Sequence, residues 1–295
     1  MAALTRAQRS NVLFGYDGTK ENDPALRWAV EEARLRGLDL VLCYCWHWPY
    51  PSGHVDAGVQ AVLQRAGENL LREGARRARA LGAQGKVRTL LRREPACDTL
   101  VYESDDAELI VVGSHERHRM PAGSTAVDLP SRTRRPVVAV RGADGGHGLV
   151  VAGVDASEGA DAAVGFAIEE AALRECDLRV VHGAWEPGAV PESDLPLFAD
   201  KAKLFQARAA MLEKVVHPWR RRYPKVHVDV SLLLERPREA LLDTADAADL
   251  LVVGDRGTGS LDPLLLGATS SAMLHHAPCS VAIVPAPRYT AQDAA

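Results

Sequence analysis

The chain reads Val252-Val253-Gly254-Asp255-Arg256-Gly257, then nine further residues, then Gly267-Ala268-Thr269-Ser270-Ser271. An apolar run therefore ends in a glycine, a second glycine follows after two residues, and a third introduces a cluster of hydroxyl side chains. Glycine lets the backbone approach a ligand closely, and the N–H groups at the start of a helix attract anions. This stretch predicts a phosphate site between a strand and a helix.

The same order of residues occurs twice in the chain. Gly15 and Asp17, at the end of the first apolar run, match Gly153 and Asp155 at the same separation along the sequence. Further matches join residues 28–33 to 166–171 and residues 109–113 to 250–254. Self-similarity over half the chain predicts two copies of one fold.

The repeat and the composition between its copies suggest the domain boundaries. We expect a first domain over residues 1–142, a glycine-rich linker over 143–148, a second domain over 149–287 and a tail over 288–295. In both halves apolar runs alternate with helical patterns, which predicts an α/β fold with a parallel sheet covered by helices on both faces. In each half a loop with an Asp follows strand one and a loop with a Gly follows strand four. If these two strands are neighbours, the two loops converge at one sheet edge.

Composition excludes several classes of protein. The 295 residues are 47% hydrophobic and 25% charged, which suits two domains that each bury a core. A net charge of -4 gives no overall attraction to nucleic acid, so we expect no nucleic-acid partner. No stretch is long and apolar enough to span a membrane, and the N-terminus lacks the apolar core of a signal peptide. We therefore expect no membrane partner and a cytoplasmic location.

The cysteines do not indicate a disulfide framework, because their number is odd and they are widely spread. They are Cys43, Cys45, Cys97, Cys176 and Cys279. Cys43 and Cys45 share one face of a predicted strand and could hold a soft metal, but no Cys/His pair at finger spacing accompanies them. Small buried apolar residues are the interpretation we favour, and we expect no metal site.

These residues together resemble the universal stress protein family over nearly the whole length of both halves. The family pattern is Gly, two residues, Gly, nine residues, then Gly-Ser/Thr, and Gly254, Gly257 and Gly267 fit its glycine spacing. The resemblance implies two tandem flavodoxin-like domains, each a five-stranded parallel sheet of order 3-2-1-4-5, with ATP as the ligand. It also implies that domains pair through their last strands, giving an intrachain pseudo-dimer and further association of two chains.

The resemblance also implies which residues bind the nucleotide. In the second half Asp155 would contact the adenosine part, and the glycine loop with the following helix start would hold the phosphates. The implied contacts there are Gly153, Asp155, Gly254, Gly257, Gly267, Ala268, Thr269 and Ser270. The corresponding residues of the first half are Gly15, Asp17, Gly113, Gly123, Ser124 and Thr125.

Both halves depart from the family pattern. Ala268 stands where Ser or Thr is preferred, and losing one neutral hydrogen bond costs about 0.5–1.5 kcal/mol. In the first half Glu116 replaces the second glycine, and the loop from Gly113 to Gly123 is three residues shorter than its counterpart. A carboxylate near a triphosphate repels it, although Arg117 and Arg119 could offset that charge. We therefore expect ATP to bind mainly in the second half.

The leading hypothesis is a nucleotide-binding protein of stress adaptation, in which ATP is a switch or a structural ligand. No positioned general base is evident, so we expect at most slow hydrolysis, with Mg²⁺ held mainly by the phosphates. One alternative is a nucleotide-independent scaffold whose sites have decayed and whose surface binds partner proteins. Another is a related α/β enzyme that transfers adenylyl groups or electrons.

Overall fold

The structure is a computed structural model, and it describes most of both halves. The described residues are 11–46, 56–114, 124–142, 146–155, 157, 159–184, 201–257 and 265–286, without the side chains of 201–204. The chain divides into two compact units, Met1–Gly142 and Ala143–Ala295.

The first unit alternates strands and helices. Its elements are β1 (Asn11–Gly15), α1 (Asp23–Arg36), β2 (Asp39–Cys45), α2 (Ala57–Ala80), β3 (Val87–Arg92), α3 (Ala96–Tyr102), β4 (Ala107–Gly113), α4 (Thr125–Arg132) and β5 (Val137–Val140). The strands are parallel and lie in the order β3-β2-β1-β4-β5. Strands β1 and β4 are therefore neighbours, with Gly15 opposite Val112.

The second unit repeats this order of elements. They are β6 (Leu149–Gly153), α5 (Gly159–Arg174), β7 (Asp177–Gly183), α6 (Lys201–Arg222), β8 (Val228–Leu233), α7 (Pro237–Ala245), β9 (Leu250–Gly254), α8 (Ala268–His276) and β10 (Ser280–Val284). Its parallel strands lie in the order β8-β7-β6-β9-β10. The predicted order 3-2-1-4-5 is confirmed in both halves.

Burial along the central strands shows that both faces of each sheet are covered. Successive side chains of a strand point to opposite faces, yet residues 109–112 of β4 and residues 250–253 of β9 are all buried. The continuous Val, Ile and Leu runs of the sequence therefore correspond to strands that lie between layers. In the part of the chain that the structure describes, no helix combines the length and apolar character needed to cross a membrane.

Local sequence signals set the helix ends. Pro24 occupies the first turn of α1, and Gly37 ends that helix with φ 66°, a left-handed conformation that glycine adopts without strain. Asp56 caps α2, because its carboxylate accepts hydrogen bonds from the N–H groups of Gly58 at 2.8 Å and Val59 at 3.2 Å. The observed ends of these helices follow from this local chemistry.

The end of the predicted linker is tied to the second unit by one carboxylate. Asp249 accepts backbone hydrogen bonds from Gly146 at 2.7 Å, His147 at 3.0 Å, Gly148 at 2.7 Å and Leu149 at 3.3 Å. Partial burial raises the pKa of Asp249, but the four N–H donors outweigh it and hold the pKa below its usual range. Residues 146–148 are thus anchored to the strand that leads to the glycine loop.

Candidate functional site

The carboxylate of Asp155 lies at the carboxyl end of β6, in a turn that fixes its direction. The chain leaves the strand with Val154 N–H bonded to the carbonyl of Val181 at 2.9 Å. Asp155 Oδ1 then accepts hydrogen bonds from the backbone N–H of Ser157, at 2.9 Å, and from the Ser157 hydroxyl. This is an Asx turn, and it holds the second carboxylate oxygen, Oδ2, away from its own loop.

The glycine loop after β9 approaches that carboxylate. A Cβ atom placed on Gly257 would lie 2.5 Å from Asp155 Oδ2, so only a glycine allows the two loops to meet this closely. A Cβ atom on Gly267 would lie 3.5 Å from the backbone nitrogen of Gly257, so the far end of the loop returns to the same place. Asp155, Gly257 and Gly267 therefore lie together, as the neighbouring positions of strands one and four lead us to expect.

Asp255 organises the loop, and its role is not evident from the sequence. It is 4% exposed; its N–H donates to the carbonyl of Val284, and its own carbonyl accepts from Gly267 N–H, both at 2.9 Å. Its carboxylate accepts from the N–H of Ala286 at 3.1 Å and pairs with Arg256 at 3.2 Å. One buried residue thus joins the loop to the end of β10 and to the start of α8. The only signal was its place between the two glycines.

The start of α8 presents backbone donors beside the glycine loop. The first helical hydrogen bond runs from Ser271 N–H to the carbonyl of Gly267 at 2.8 Å, so the N–H groups of Ala268, Thr269 and Ser270 belong to the unsatisfied first turn. The Ser270 hydroxyl makes a hydrogen bond within the loop. It donates to the carbonyl of Gly254 at 2.6 Å and closes the loop from within.

Two predicted glycines have packing roles in the structure. A Cβ atom on Gly153 would lie within 3.0 Å of side-chain atoms of Leu241 and Val253. A Cβ atom on Gly15 would lie 3.3 Å from Leu100 Cδ1 and 3.5 Å from Val112 Cγ1. Both glycines thus end their strands where a side chain from a helix or a neighbouring strand packs over the backbone.

The first unit has the same Asp turn but a different surrounding. Asp17 Oδ1 accepts hydrogen bonds from the backbone N–H and the hydroxyl of Thr19, both at 2.8 Å. Asn22 is 2% exposed, donates to the carbonyl of Gly15 at 3.3 Å and packs its side-chain oxygen directly against Gly113. The aligned position of the second unit is Ala160, which has no such amide. The space beside the strand-four glycine is therefore filled in the first unit.

The remaining first-half candidates lie at the start of α4. Thr125 is the first residue of that helix, and Ser124 is its N-cap, whose carbonyl accepts from the N–H groups of Val127 and Asp128 at 2.9 and 3.1 Å. The Ser124 hydroxyl is buried and has no hydrogen-bond partner in the described part of the chain. Gly123 lies outside the described residues, as do Glu116, Arg117 and Arg119.

His182, on the neighbouring strand β7, supports the Asp155 turn. It is 6% exposed, and its Nδ1–H donates to the carbonyl of Val154 at 2.7 Å. Burial lowers the pKa of His182, outweighing the hydrogen bond to Val154 and the charge of Asp155, so the ring is neutral near pH 7. The contact to Val154 needs a proton on Nδ1, which fixes the tautomer of the neutral ring, and the sequence carried no signal for it.

Within the described ranges, no group of three or more His, Cys, Asp or Glu residues is placed to hold a metal ion. A Mg²⁺ ion accompanying a nucleotide would take its ligands mainly from phosphate oxygens and water, which is a usual mode for this ion.

Two α/β units with flavodoxin-like strand order, each with a carboxylate turn after its first strand, define a tandem protein of the flavodoxin-like class. The model of the universal stress protein family matches residues 8–141 and 148–285. The chain belongs to the universal stress protein family, with two such domains in tandem.

Two known proteins of similar length resemble this chain, one in sequence and one in fold. A universal stress protein of Mycobacterium tuberculosis is 31% identical over 292 residues, covering 92% of this chain and 95% of that protein. The crystal structure of a universal stress protein from Archaeoglobus fulgidus has a TM-score of 0.71 at 18% identity, covering 95% of this chain and 97% of that chain. A universal stress protein solved in complex with cAMP covers 46% of this chain and 99% of its own, at 22% identity and a TM-score of 0.39.

Proposed function

We propose that the second unit binds ATP and that the nucleotide acts as a switch or a structural ligand. The observation that carries the proposal is the meeting of Asp155 with Gly257 at the carboxyl edge of the sheet, beside the start of α8. A carboxylate favours the hydroxyl donors of a ribose and disfavours phosphates. Asp155 would therefore face the adenosine part, and the phosphates would lie toward the helix.

The phosphate end of this site rests on backbone donors. The first-turn N–H groups of α8 attract anions through their partial positive charge, and no catalytic side chain is required for that binding. Arg256, whose guanidinium is paired with Asp255, adds a positive charge to the same loop. Since Ala268 and the internally bonded Ser270 supply no free hydroxyl proton, Thr269 is the side chain that we expect to contact a phosphate oxygen.

The arrangement supports binding better than turnover. The described loops place acceptor carboxylates in hydrogen bonds or ion pairs, and we identify no base aimed at a water molecule beside the proposed phosphates. Hydrolysis is therefore expected to be slow at most. Association of the two halves through residues 137–140 and 281–284, and of two chains into a dimer, stays a prediction.

The substitution Gly257→Ala tests the proposal. Its Cβ atom would displace the Asp155 carboxylate, so we expect ATP affinity to fall at least about tenfold, which corresponds to about 1.4 kcal/mol. The measurement is the ATP content released by heating freshly purified protein, followed by titration of the nucleotide-stripped protein. Gly142→Ala is the matched control, because its Cβ atom would meet only Pro24 Cγ, at 3.4 Å.

Unchanged affinity in Gly257→Ala would exclude the proposed phosphate loop. If stripped wild-type protein shows no affinity for ATP even at millimolar concentration, the scaffold hypothesis replaces the proposal. Loss of binding in the Gly142→Ala control would mean that the effect is not specific to the site.

A further inference from the structure

Two thiols lie close together at the carboxyl end of β2. Cys43 and Cys45 are separated by one residue, so their side chains point to the same face of the strand. Their Sγ atoms are 4.0 Å apart. Cys43 is 2% exposed and Cys45 is half-buried, so one sulfur lies in the core and the other reaches its boundary.

The fold itself does not require sulfur at these positions. Gly15 lies opposite Cys43 in the first unit, and Gly153 lies opposite Val181 in the second, so Val181 is the structural counterpart of Cys43. The counterpart of Cys45 is Gly183, two residues further along β7. The second unit builds the same strand without a thiol, so the sheet itself does not need the pair.

The surroundings of the two thiols shift their pKa values in opposite directions. The hydrogen bond from Cys43 lowers the pKa of Cys45 to about 7, although burial opposes this change. The same hydrogen bond raises the pKa of Cys43, and burial adds to the increase. Thr99, which is 5% exposed, places a hydroxyl beside the Cys45 sulfur, and that hydroxyl has no other partner in the described part of the chain.

The two thiols are free in the structure, and strand pairing disfavours their closure into a disulfide. A disulfide needs them about 2.05 Å apart, whereas they are 4.0 Å apart here. Cys43 is paired with Gly15 on one side and Leu90 on the other, and Cys45 is paired with Arg92. An extended strand holds Cα atoms two residues apart at about 6.6 Å, near the upper end of the range that a disulfide tolerates.

The same separation suits a metal ion held between the sulfurs. With metal–sulfur bonds of about 2.3 Å, sulfurs 4.0 Å apart subtend an angle of about 120° at the metal. Angles of about this size occur in three-coordinate sites, in which the third position would be open to an added ligand. In the described ranges no third His, Cys, Asp or Glu joins the pair, which disfavours the four-coordinate site that Zn²⁺ usually takes.

We propose that Cys43 and Cys45 form a binding site for a soft monovalent metal ion of the Cu(I) type. Thiolate ligands select soft ions, and two thiolates with one monovalent ion carry a net charge of about -1. As each sulfur bonds to the metal, any thiol proton that it carries passes to solvent. The site lies in the first unit and does not depend on nucleotide binding in the second.

The test is Cu(I) transfer to the reduced full-length protein from a chromophoric Cu(I) chelator, under anaerobic conditions. We expect one Cu(I) per chain to be retained in competition with the chelator, and Zn²⁺ to be retained at least about tenfold less tightly. Cys43→Val, which introduces the residue of the second unit, and Cys45→Ser should each abolish retention. Cys176→Ser is the matched control, because it removes a half-buried lone thiol and should change nothing.

A second measurement uses the wild-type protein and does not depend on the variants folding. Cu(I) should protect Cys45 from alkylation at pH 7, as read by mass spectrometry of its peptide, while Cys97 and Cys176 remain as reactive as without metal. Equal protection of all three cysteines, or no Cu(I) retained by the wild-type chain, would overturn the proposal. Retention by Cys45→Ser equal to that of the wild type would do the same.

Discussion

At the scale of single residues, the candidate site depends on one carboxylate and the groups that aim it. Ser157 binds one oxygen of Asp155, and Gly257 leaves room for the other. His182 holds the carbonyl of Val154, the residue immediately before Asp155. Because the imidazole is buried and its pKa is lowered, protonating the ring costs stability, although the hydrogen bond to Val154 itself favours the charged ring.

The protonation of His182 should make stability depend on pH. Its folded-state pKa is below the unfolded value of about 6.5, so the unfolded chain takes up a proton first as pH falls. Stability is thus full above pH about 6.5 and decreases below it, by up to about 1.4 kcal/mol per pH unit. His182→Asn keeps an N–H donor without a titrating ring. Between pH 7.5 and 5.5 the melting temperature of this variant should therefore fall less than that of the wild type.

The control for this measurement is His227→Asn, which removes an exposed histidine of the same unit. That variant should follow the wild-type pH profile. If His182→Asn follows it too, the folded-state pKa of His182 is not lowered as described.

At the scale of secondary-structure elements, the helices α1 and α5 carry the same buried ion pair. Glu32 and Arg36 in α1 are 0% and 4% exposed, and Arg36 lies 3.9 Å from Glu108 of β4. Glu170 and Arg174 repeat the pair in α5, 3.1 Å apart. The matching Glu-Glu-Ala sequences of the two halves therefore supply the same i,i+4 ion pair near the end of the first helix of each unit.

Removing one partner of the buried pair should be costly. Glu32→Ala leaves the Arg36 guanidinium buried without its helical partner, and such a loss costs about 3–5 kcal/mol. Glu31→Ala is the matched control, one residue earlier in the same helix, because its pair with Arg34 is exposed and contributes little to stability. Urea unfolding at pH 7 measures both, and equal losses in the two variants would contradict the account of the buried pair.

At the scale of the whole molecule, the two units share a fold and differ in the groups at their sheet edges. The second unit brings a carboxylate and glycine loops together. The first unit has the same Asp turn, an amide packed against its strand-four glycine, and a pair of thiols at the end of its second strand. Duplication thus preserved the sheet and allowed the two edges to acquire different chemistry.

This difference predicts unequal effects of equivalent substitutions in the full-length chain. Asp155→Ala should lower ATP affinity by about 10- to 100-fold, because a hydrogen bond to a charged group contributes about 1.5–3 kcal/mol. Asp17→Ala, its counterpart, should leave the heat-released ATP content at the wild-type level of one per chain. Two ATP per chain in the wild type, or equal losses in both variants, would show that the first unit also binds the nucleotide.

Local signals in the sequence account for most of the fold and for part of the site. Continuous apolar runs identified the covered strands, and Pro24 and Gly37 marked the ends of a helix because their backbone preferences are strong. The spacing of Gly254, Gly257 and Gly267 predicted a loop whose backbone can approach a ligand closely. The roles of Asp255 and His182 could not be predicted, because each depends on contacts with strands distant in sequence.

The sequence by itself determined the tandem repeat, the α/β class and the family, since these depend on periodicity and on motifs within short segments. Only the tertiary structure decided that Asp155 meets Gly257, that Ser270 bonds within the loop, and that Asn22 packs against Gly113. It also showed the 4.0 Å separation of the Cys43 and Cys45 sulfurs. The physical reason is that strand pairing and side-chain packing set distances of a few ångströms between segments, which no local pattern encodes.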